Sequence, residues 1–264
     1  MLRENVVFGP IRSRRLGASL GINLLPAEGK LCNFDCIYCE CGWNADGRGD
    51  TRLPSREDVR TALADKLAAL LKEGVTVDTL TFSGDGEPTL HPDFPAIVDD
   101  TLSLRDTFFP AAAVSVLSNA TRIHLPAVRE ALRRIDNPIL KLDAPDNERA
   151  ERINRPAPGY DVARVTEAMQ AFDGNFILQT MFLRCPGFDS SSPEVLAAWM
   201  DLVHRVNPRE IMVYTIDRPT PQQGLGAFTE AEMRALVQPL ADEGFRLRVT
   251  GPADLPNPDS SYRG

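Results

Sequence analysis

Apolar, β-rich runs alternate along this chain with amphipathic helical stretches. Runs at 19–24, 79–83, 113–117, 139–142, 176–182, 211–216 and 245–249 predict strands. Helical patterns lie between them at 56–72, 95–104, 126–135, 162–172, 193–206 and 230–243. The clearest is 56–72, where Ser55 stands at the N-cap, Asp58 three residues on, and Gly74 as a stop. Several strands are nearly continuous in apolar residues, as expected when helices cover one face and a barrel or parallel sheet packs the other. Repeated strand–helix units imply right-handed crossovers and an α/β fold, and six or seven of them suggest a barrel, open or closed. Residues 1–220 are expected to form the core with an N-terminal extension. Residues 221–264 should add a helix, an extra strand and an irregular tail carrying Pro252, Pro256 and Pro258.

Composition narrows the class. With 264 residues, 43% hydrophobic and 25% charged, the chain is ordinary for a globular protein with a sizeable core. No stretch approaches the roughly 18 apolar residues that span a bilayer, and residues 1–5 lack the apolar run of a secretory signal. The expectation is a cytoplasmic protein with no membrane partner. A net charge of −8 weighs against gripping nucleic acid through its phosphates. Arg12, Arg14 and Arg15 form a local exception, readable as a solvated basic turn or as an RNA contact.

Five cysteines change the picture. Four fall within ten residues, at Cys32, Cys36, Cys39 and Cys41, unlike a secreted disulfide framework. The segment Leu31-Cys32-Asn33-Phe34-Asp35-Cys36-Ile37-Tyr38-Cys39 follows the first predicted strand with the spacing C-x3-C-x2-C. Three soft thiolates on one loop can ligate three irons of a cubane and leave the fourth open. Zinc is the alternative, with Cys41 completing four ligands. Cys39 and Cys41 are only two apart, however, and the histidines at 91, 124 and 204 are remote. On that alternative the chain is a zinc-stabilised binding module; an electron carrier is the other non-enzyme reading.

The spacing, with aromatic Tyr38 before the last cysteine, resembles the radical S-adenosylmethionine (SAM) superfamily. Phe82-Ser83-Gly84-Asp85-Gly86-Glu87-Pro88-Thr89-Leu90 is similar to its Gly-Gly-Glu motif, in the form seen in wyosine-forming tRNA enzymes and glycyl-radical activases. Phe8-Gly9-Pro10 and Ser13-Arg14-Arg15-Leu16-Gly17 resemble a bacterial and archaeal subgroup of iron–sulfur oxidoreductases, and the likeness runs over residues 8–220. The resemblance implies a partial (β/α)6 barrel with a [4Fe–4S] cluster on Cys32, Cys36 and Cys39 at the C-terminal strand ends. It also implies SAM chelating the open iron, reductive cleavage to a 5′-deoxyadenosyl radical, and an electron donor such as flavodoxin or ferredoxin. The cofactors carry that chemistry, and the protein supplies binding and exclusion of water.

Candidate site residues follow from the resemblance. Gly84 and Gly86 admit close backbone approach, and their loop is expected to meet the methionine amino group through Glu87 or a main-chain carbonyl. Asp85, between the glycines, departs from the pattern, and it stands beside Glu87 as the other candidate for that binding. Asn119, and Lys141 with Asp143, end the third and fourth strands, where Asp can bind ribose hydroxyls and Lys a carboxylate, or the two can form a structural salt bridge. Arg152 or Arg155 suits a carboxylate or a substrate anion. Gln179, Thr180 and Tyr214 are candidates for the adenosine. Cys185, past the fifth strand, is the candidate catalytic thiol, set against a role as buried filler. Cys41 stands between the same two readings, and His91 reads as a turn residue. The substrate is unassigned: RNA modification, activation of a partner enzyme, and a small-molecule or peptide substrate all remain open.

Overall fold

The computed structural model describes residues 5–13, 16–27, 29–46 and 52–252. Arg14, Arg15, Pro256 and Pro258 lie outside the described residues. In chain order the elements are β1 (Val7–Ser13), β2 (Gly17–Ile22), α1 (Arg56–Lys72), β3 (Thr79–Phe82), α2 (Phe94–Phe108), β4 (Ala113–Ser118) and α3 (Pro126–Arg134). There follow β5 (Asn137–Lys141), α4 (Asn147–Ile153), α5 (Val162–Gln170), β6 (Ile177–Phe182), the short pair β7 (Arg184–Cys185) and β8 (Phe188–Asp189), α6 (Pro193–Val206), β9 (Glu210–Thr215), α7 (Glu230–Asp242) and β10 (Leu247–Thr250).

An eight-stranded sheet runs in the order β1-β2-β3-β4-β5-β6-β9-β10. Every neighbouring pair is parallel except β1 with β2. The sheet curls into a half-barrel, the partial barrel expected from the sequence. Register fixes which side chains enter it. Lys141 pairs with Gln179, Gln179 with Met212, and Met181 with Tyr214. Because side chains alternate, these residues share the inner face. Below them Ile139, Ile177 and Met212 form a small apolar cluster, joined by Leu16 and Leu117. The alternate residues Leu140, Leu178, Ile211 and Val213 join the main core, which includes buried side chains of every long helix. On the β2–β4 side the interior is polar but satisfied. Ser19 meets Thr81 at 2.8 Å, Thr79 meets Ser115 at 2.9 Å, and the Asn137 amide donates to Ser115 at 3.1 Å.

All seven predicted strands are present, and α1 and α6 have the expected bounds. The sequence pattern missed β1, whose Gly9-Pro10 interrupts the run. A Pro within a strand belongs at an edge, and β1 is an edge whose register shifts between Phe8 and Ile11. It also missed α4, seven residues dense in charge with only Ala150 and Ile153 buried, started by Asp146 accepting from the Arg149 amide at 2.9 Å. Past residue 220, α7 and β10 extend the same sheet through pairing with β9. Among the described residues no helix is long and apolar enough to cross a membrane.

Phe182, 2% exposed, stacks edge-on against Trp199 at 5.3 Å and lies 6.1 Å from Phe228. Phe182→Ala should cost about 3–5 kcal/mol, read as a lower urea midpoint. An unchanged midpoint would mean that this wall of the core carries little.

Candidate active site at the cysteine loop

The cysteine loop leaves β2 and has no regular structure, so its backbone groups need partners elsewhere. On one side the Leu31 amide donates to the Asp85 carbonyl at 2.9 Å, and the Glu87 amide donates to the Leu31 carbonyl at 3.0 Å. On the other, the Asp35 amide donates to Asn154 O at 2.9 Å and Ile37 to Ile153 O at 3.0 Å. Asn44 ties the loop internally, its amide donating to the carbonyls of Cys32 and Phe34 at 3.2 and 2.9 Å. Gly86 makes the first contact possible: a Cβ there would stand 1.8 Å from Leu31 O, and its φ is +140°. Gly84 is equally confined, since its Cβ would meet Asn23 Oδ1 at 2.3 Å.

Each predicted ligand sulfur has nitrogen neighbours. The Asn119 amide donates to Cys32 Sγ at 3.7 Å and the Phe34 N–H at 3.4 Å. The Asn154 amide donates to Cys36 Sγ at 3.4 Å. The Lys30 ammonium, held by Gly42 O at 2.8 Å and Asp35 at 3.3 Å, sits close enough to Cys39 to act on its titration. Burial pushes the Cys32 thiol well up and Cys36 to about 11. Cys39 is drawn down to about 6, first by hydrogen bonding from Cys41 and then, against burial, by Lys30. Cys41 itself reaches across, donating to Gly84 O at 3.6 Å and lying 3.9 Å from Asp85 Oδ1.

Beside Cys36 lies a buried polar network. Lys141 Nζ donates to Tyr214 Oη at 2.6 Å and Tyr38 Oη at 3.3 Å, and stands 3.6 Å from Asp143. The Tyr38 hydroxyl donates to Asp143, and Asn154 donates to both at 2.8 Å. The Met181 amide completes the Asp143 carboxylate at 2.8 Å. Burial opposes the Lys141 charge, yet Asp143 and the surrounding oxygens hold its pKa above the usual lysine value. Lys141 and Asp143 therefore do form the salt bridge that one reading of the sequence offered, inside the barrel rather than on its surface.

Glu87 is buried, with three donors at Oε1 and one at Oε2. It accepts from the Thr89 amide and hydroxyl at 3.1 and 2.5 Å, Ser118 at 2.9 Å and the Asn119 amide at 2.7 Å. It thereby couples the loop after β3 to the end of β4, while Asp85 accepts from Asn23 at 3.1 Å. Gln179 faces the barrel beside Lys141, and its Nε2 is buried with no hydrogen-bond partner among the described residues. Thr180 faces the other way, donating to Leu142 O and accepting from Trp199 Nε1. The adenosine expectation for Thr180 is therefore corrected: strand alternation turns it toward α6.

The remaining candidates make no described hydrogen bond to the Lys141 network, although the Arg155 carbonyl accepts from the Asp35 amide of the cysteine loop at 3.2 Å. Arg155 lies over the Trp43 ring at 4.6 Å and donates to Gln222 at 3.2 Å. Arg152 donates to Pro186 O at 3.5 Å and pairs with Glu148 at 3.9 Å. Cys185 lies in the β7–β8 hairpin, where burial pushes its thiol up against the pull of Arg152, and no described hydrogen bond joins it to the Cys36 network. His91 is a turn residue, one ring nitrogen accepting from the Asp93 amide and the other donating to Pro54 O. Residue types alone did not reveal Asn154 or Lys30. Their signal was position, Asn154 next to a candidate arginine and Lys30 two residues before Cys32.

Residues 29–184 match the radical SAM superfamily. A UPF0026 protein of Helicobacter pylori (strain J99) is 30% identical over 226 residues, covering 83% of this chain and 70% of the relative. Among solved structures, Streptococcus suis SuiB bound to S-adenosylmethionine superposes with a TM-score of 0.62 at 16% identity. The match covers 88% of this chain and 50% of SuiB, so the chain spans half that polypeptide. A radical SAM methyltransferase from Sphaerobacter thermophilus gives 0.67 at 14% identity, covering 88% and 66%.

Two outcomes follow from this geometry. In metal-free protein, iodoacetamide at pH 7 should label Cys39 first, its rate rising through about pH 6, since thiolate and not thiol reacts; peptide mass spectrometry showing Cys36 labelled first would contradict the electrostatics. Gly86→Ala should raise amide hydrogen exchange at Leu31 and Glu87 while the sheet stays protected, with strain of about 1–3 kcal/mol. Unchanged exchange there would mean the loop is held by other contacts.

Proposed function

We propose that this chain, which belongs to the radical SAM superfamily and is a radical SAM enzyme, holds a [4Fe–4S] cluster on Cys32, Cys36 and Cys39 and binds SAM beside it. When bound, a cluster reduced by an external donor would pass one electron to SAM, which would cleave to methionine and a 5′-deoxyadenosyl radical able to take a hydrogen atom from the substrate. The observation that carries the reading is the meeting, on one loop, of three cysteines with nitrogen neighbours, against a glycine loop and a buried Lys141.

The chain's own groups suit the parts assigned to them. Gly84 O, already accepting from Cys41, is a ready acceptor for an amino group. Glu87 already accepts from Thr89, Ser118 and Asn119, so of the two carriers considered for the methionine amine, we favour the main-chain carbonyl. Lys141, charged and 17% exposed at its side chain, can receive a carboxylate. Asp143 and Tyr214 bear on its position. The unpartnered Gln179 Nε2 is a buried donor, a state that costs about 1–3 kcal/mol until an acceptor arrives, and adenosine offers acceptors. Asn119 is spoken for by Cys32 and Asn33, so we assign it to the cluster rather than to SAM. Arg155 and Cys185 are left for substrate or partner contacts. Five free thiols suit a reducing cytoplasm and a donor of flavodoxin or ferredoxin type. The substrate is unassigned; RNA modification and activation of a partner enzyme remain alternatives.

Anaerobic reconstitution should give a brown protein with about four irons that cleaves SAM under dithionite. Alanine at Cys32, Cys36 or Cys39 should abolish both cluster and cleavage, while Cys41→Ala keeps the cluster. Tightly held zinc without iron would sink the reading, and loss of the cluster in Cys41→Ala would change the ligand set. Deuterium passing from a labelled candidate into 5′-deoxyadenosine would identify the substrate.

A further inference from the structure

Cluster ligands in a buried site are tuned by what hydrogen-bonds to their sulfurs. An N–H directed at a thiolate stabilises the extra electron of the reduced state, so it raises the reduction potential. Two side-chain amides occupy that position here. Asn154 Nδ2 lies 3.4 Å from Cys36 Sγ, and Asn119 Nδ2 lies 3.7 Å from Cys32 Sγ.

Neither amide is free to turn. The Asn119 carbonyl oxygen accepts from the Thr121 amide and hydroxyl at 3.1 and 2.7 Å, so its NH2 must face Cys32 and Asn33. Its backbone is in turn fixed by Glu87, which accepts from its N–H. Flipping Asn154 would set its oxygen against the Asp143 carboxylate, 2.8 Å from the present nitrogen. Asn154 is 2% exposed and Asn119 6%, so water does not compete for either amide. Asn154 also offers only two hydrogens to three acceptors, namely Cys36 Sγ, Tyr38 Oη and Asp143 Oδ2. Its donation to sulfur is thus linked directly to the residues around Lys141.

We propose that Asn154 and Asn119 are positioning residues that set the reduction potential of the cluster by donating N–H groups to Cys36 and Cys32. The proposal rests on the assignment of those cysteines as cluster ligands. It explains why two asparagines from distant elements converge on the cysteine loop, one carried by the end of helix α4 and the other by the end of strand β4.

The test is a spectroelectrochemical titration of the reconstituted protein without SAM, comparing wild type with Asn154→Leu, Asn119→Leu and the double variant. Leucine keeps volume and removes the donor. With about four irons retained in each, both single variants should have more negative midpoint potentials, and the double variant should shift by about the sum. Equal potentials with intact clusters would overturn the proposal. Should a leucine variant fail to take iron, the wild type decides. Protein carrying 15N only in its asparagine side chains should show nitrogen couplings to the reduced cluster by pulsed electron resonance, and their absence would equally overturn it. A wild-type protein that takes no iron would remove the cluster assignment itself, a failure visible before any variant is compared.

Discussion

The site depends on one constraint: a loop with no secondary structure of its own must be held by backbone hydrogen bonds from both sides. The glycine loop after β3 grips Leu31, and the end of α4 grips Asp35 and Ile37. Neither clamp is local in sequence. They meet the loop because β2, β3, β4 and β5 are adjacent parallel strands whose C-terminal ends open on one rim. Gly86 sets the tolerance, since any side chain there would collide with the Leu31 carbonyl. Thiol placement is thus inherited from sheet register, which is rigid, rather than from the loop, which is not.

That placement has an electrostatic consequence. Packed without metal, Cys32 and Cys36 resist ionisation because burial penalises the charged thiolate more than nearby Lys30 and Lys141 favour it. A metal reverses this balance, because a coordinating thiol gives up its proton to the ion's field. The two lysines are therefore matched to a thiolate-rich site and stand in a balanced apoprotein only through their own acceptors, Asp35 and Gly42 O for Lys30, and Tyr214, Tyr38 and Asp143 for Lys141.

Much of this was legible in the sequence, for physical reasons. Strands buried on both faces leave continuous apolar runs, so β2 to β6, β9 and β10 announced themselves, and capping chemistry marked α1. The cysteine spacing and Gly84-Asp85-Gly86-Glu87 located the two loops that touch. What escaped was set by tertiary contact. Strand β1 is interrupted by Gly9-Pro10 and is stable only as an edge on β2. Helix α4 is seven residues long and buries only Ala150 and Ile153, too short a pattern to read. Glu87, one of the acceptors considered for an amine, takes four donors from its own chain, which no sequence pattern reports. Thr180 and Gln179 look alike in the chain, yet alternation sends one to α6 and the other into the barrel.

The filling of the barrel limits where a ligand can stand. Its lower interior is closed by Ile139, Ile177 and Met212 with Leu16 and Leu117, and by hydroxyls already bonded to one another along β2 to β4. Among the described residues, the layer above holds the polar side chains of Lys141, Gln179 and Tyr214. A ligand there cannot sink deeper, so it must lie across the strand ends, within reach of the cysteine loop on one side and solvent on the other. A substrate then approaches from the rim, and its size is bounded by the loops around that rim rather than by the volume of the barrel. The chemistry is fixed by the sheet and the substrate by its edges, which is why a chain whose reaction class can be read so plainly leaves its substrate to be found by isotope transfer.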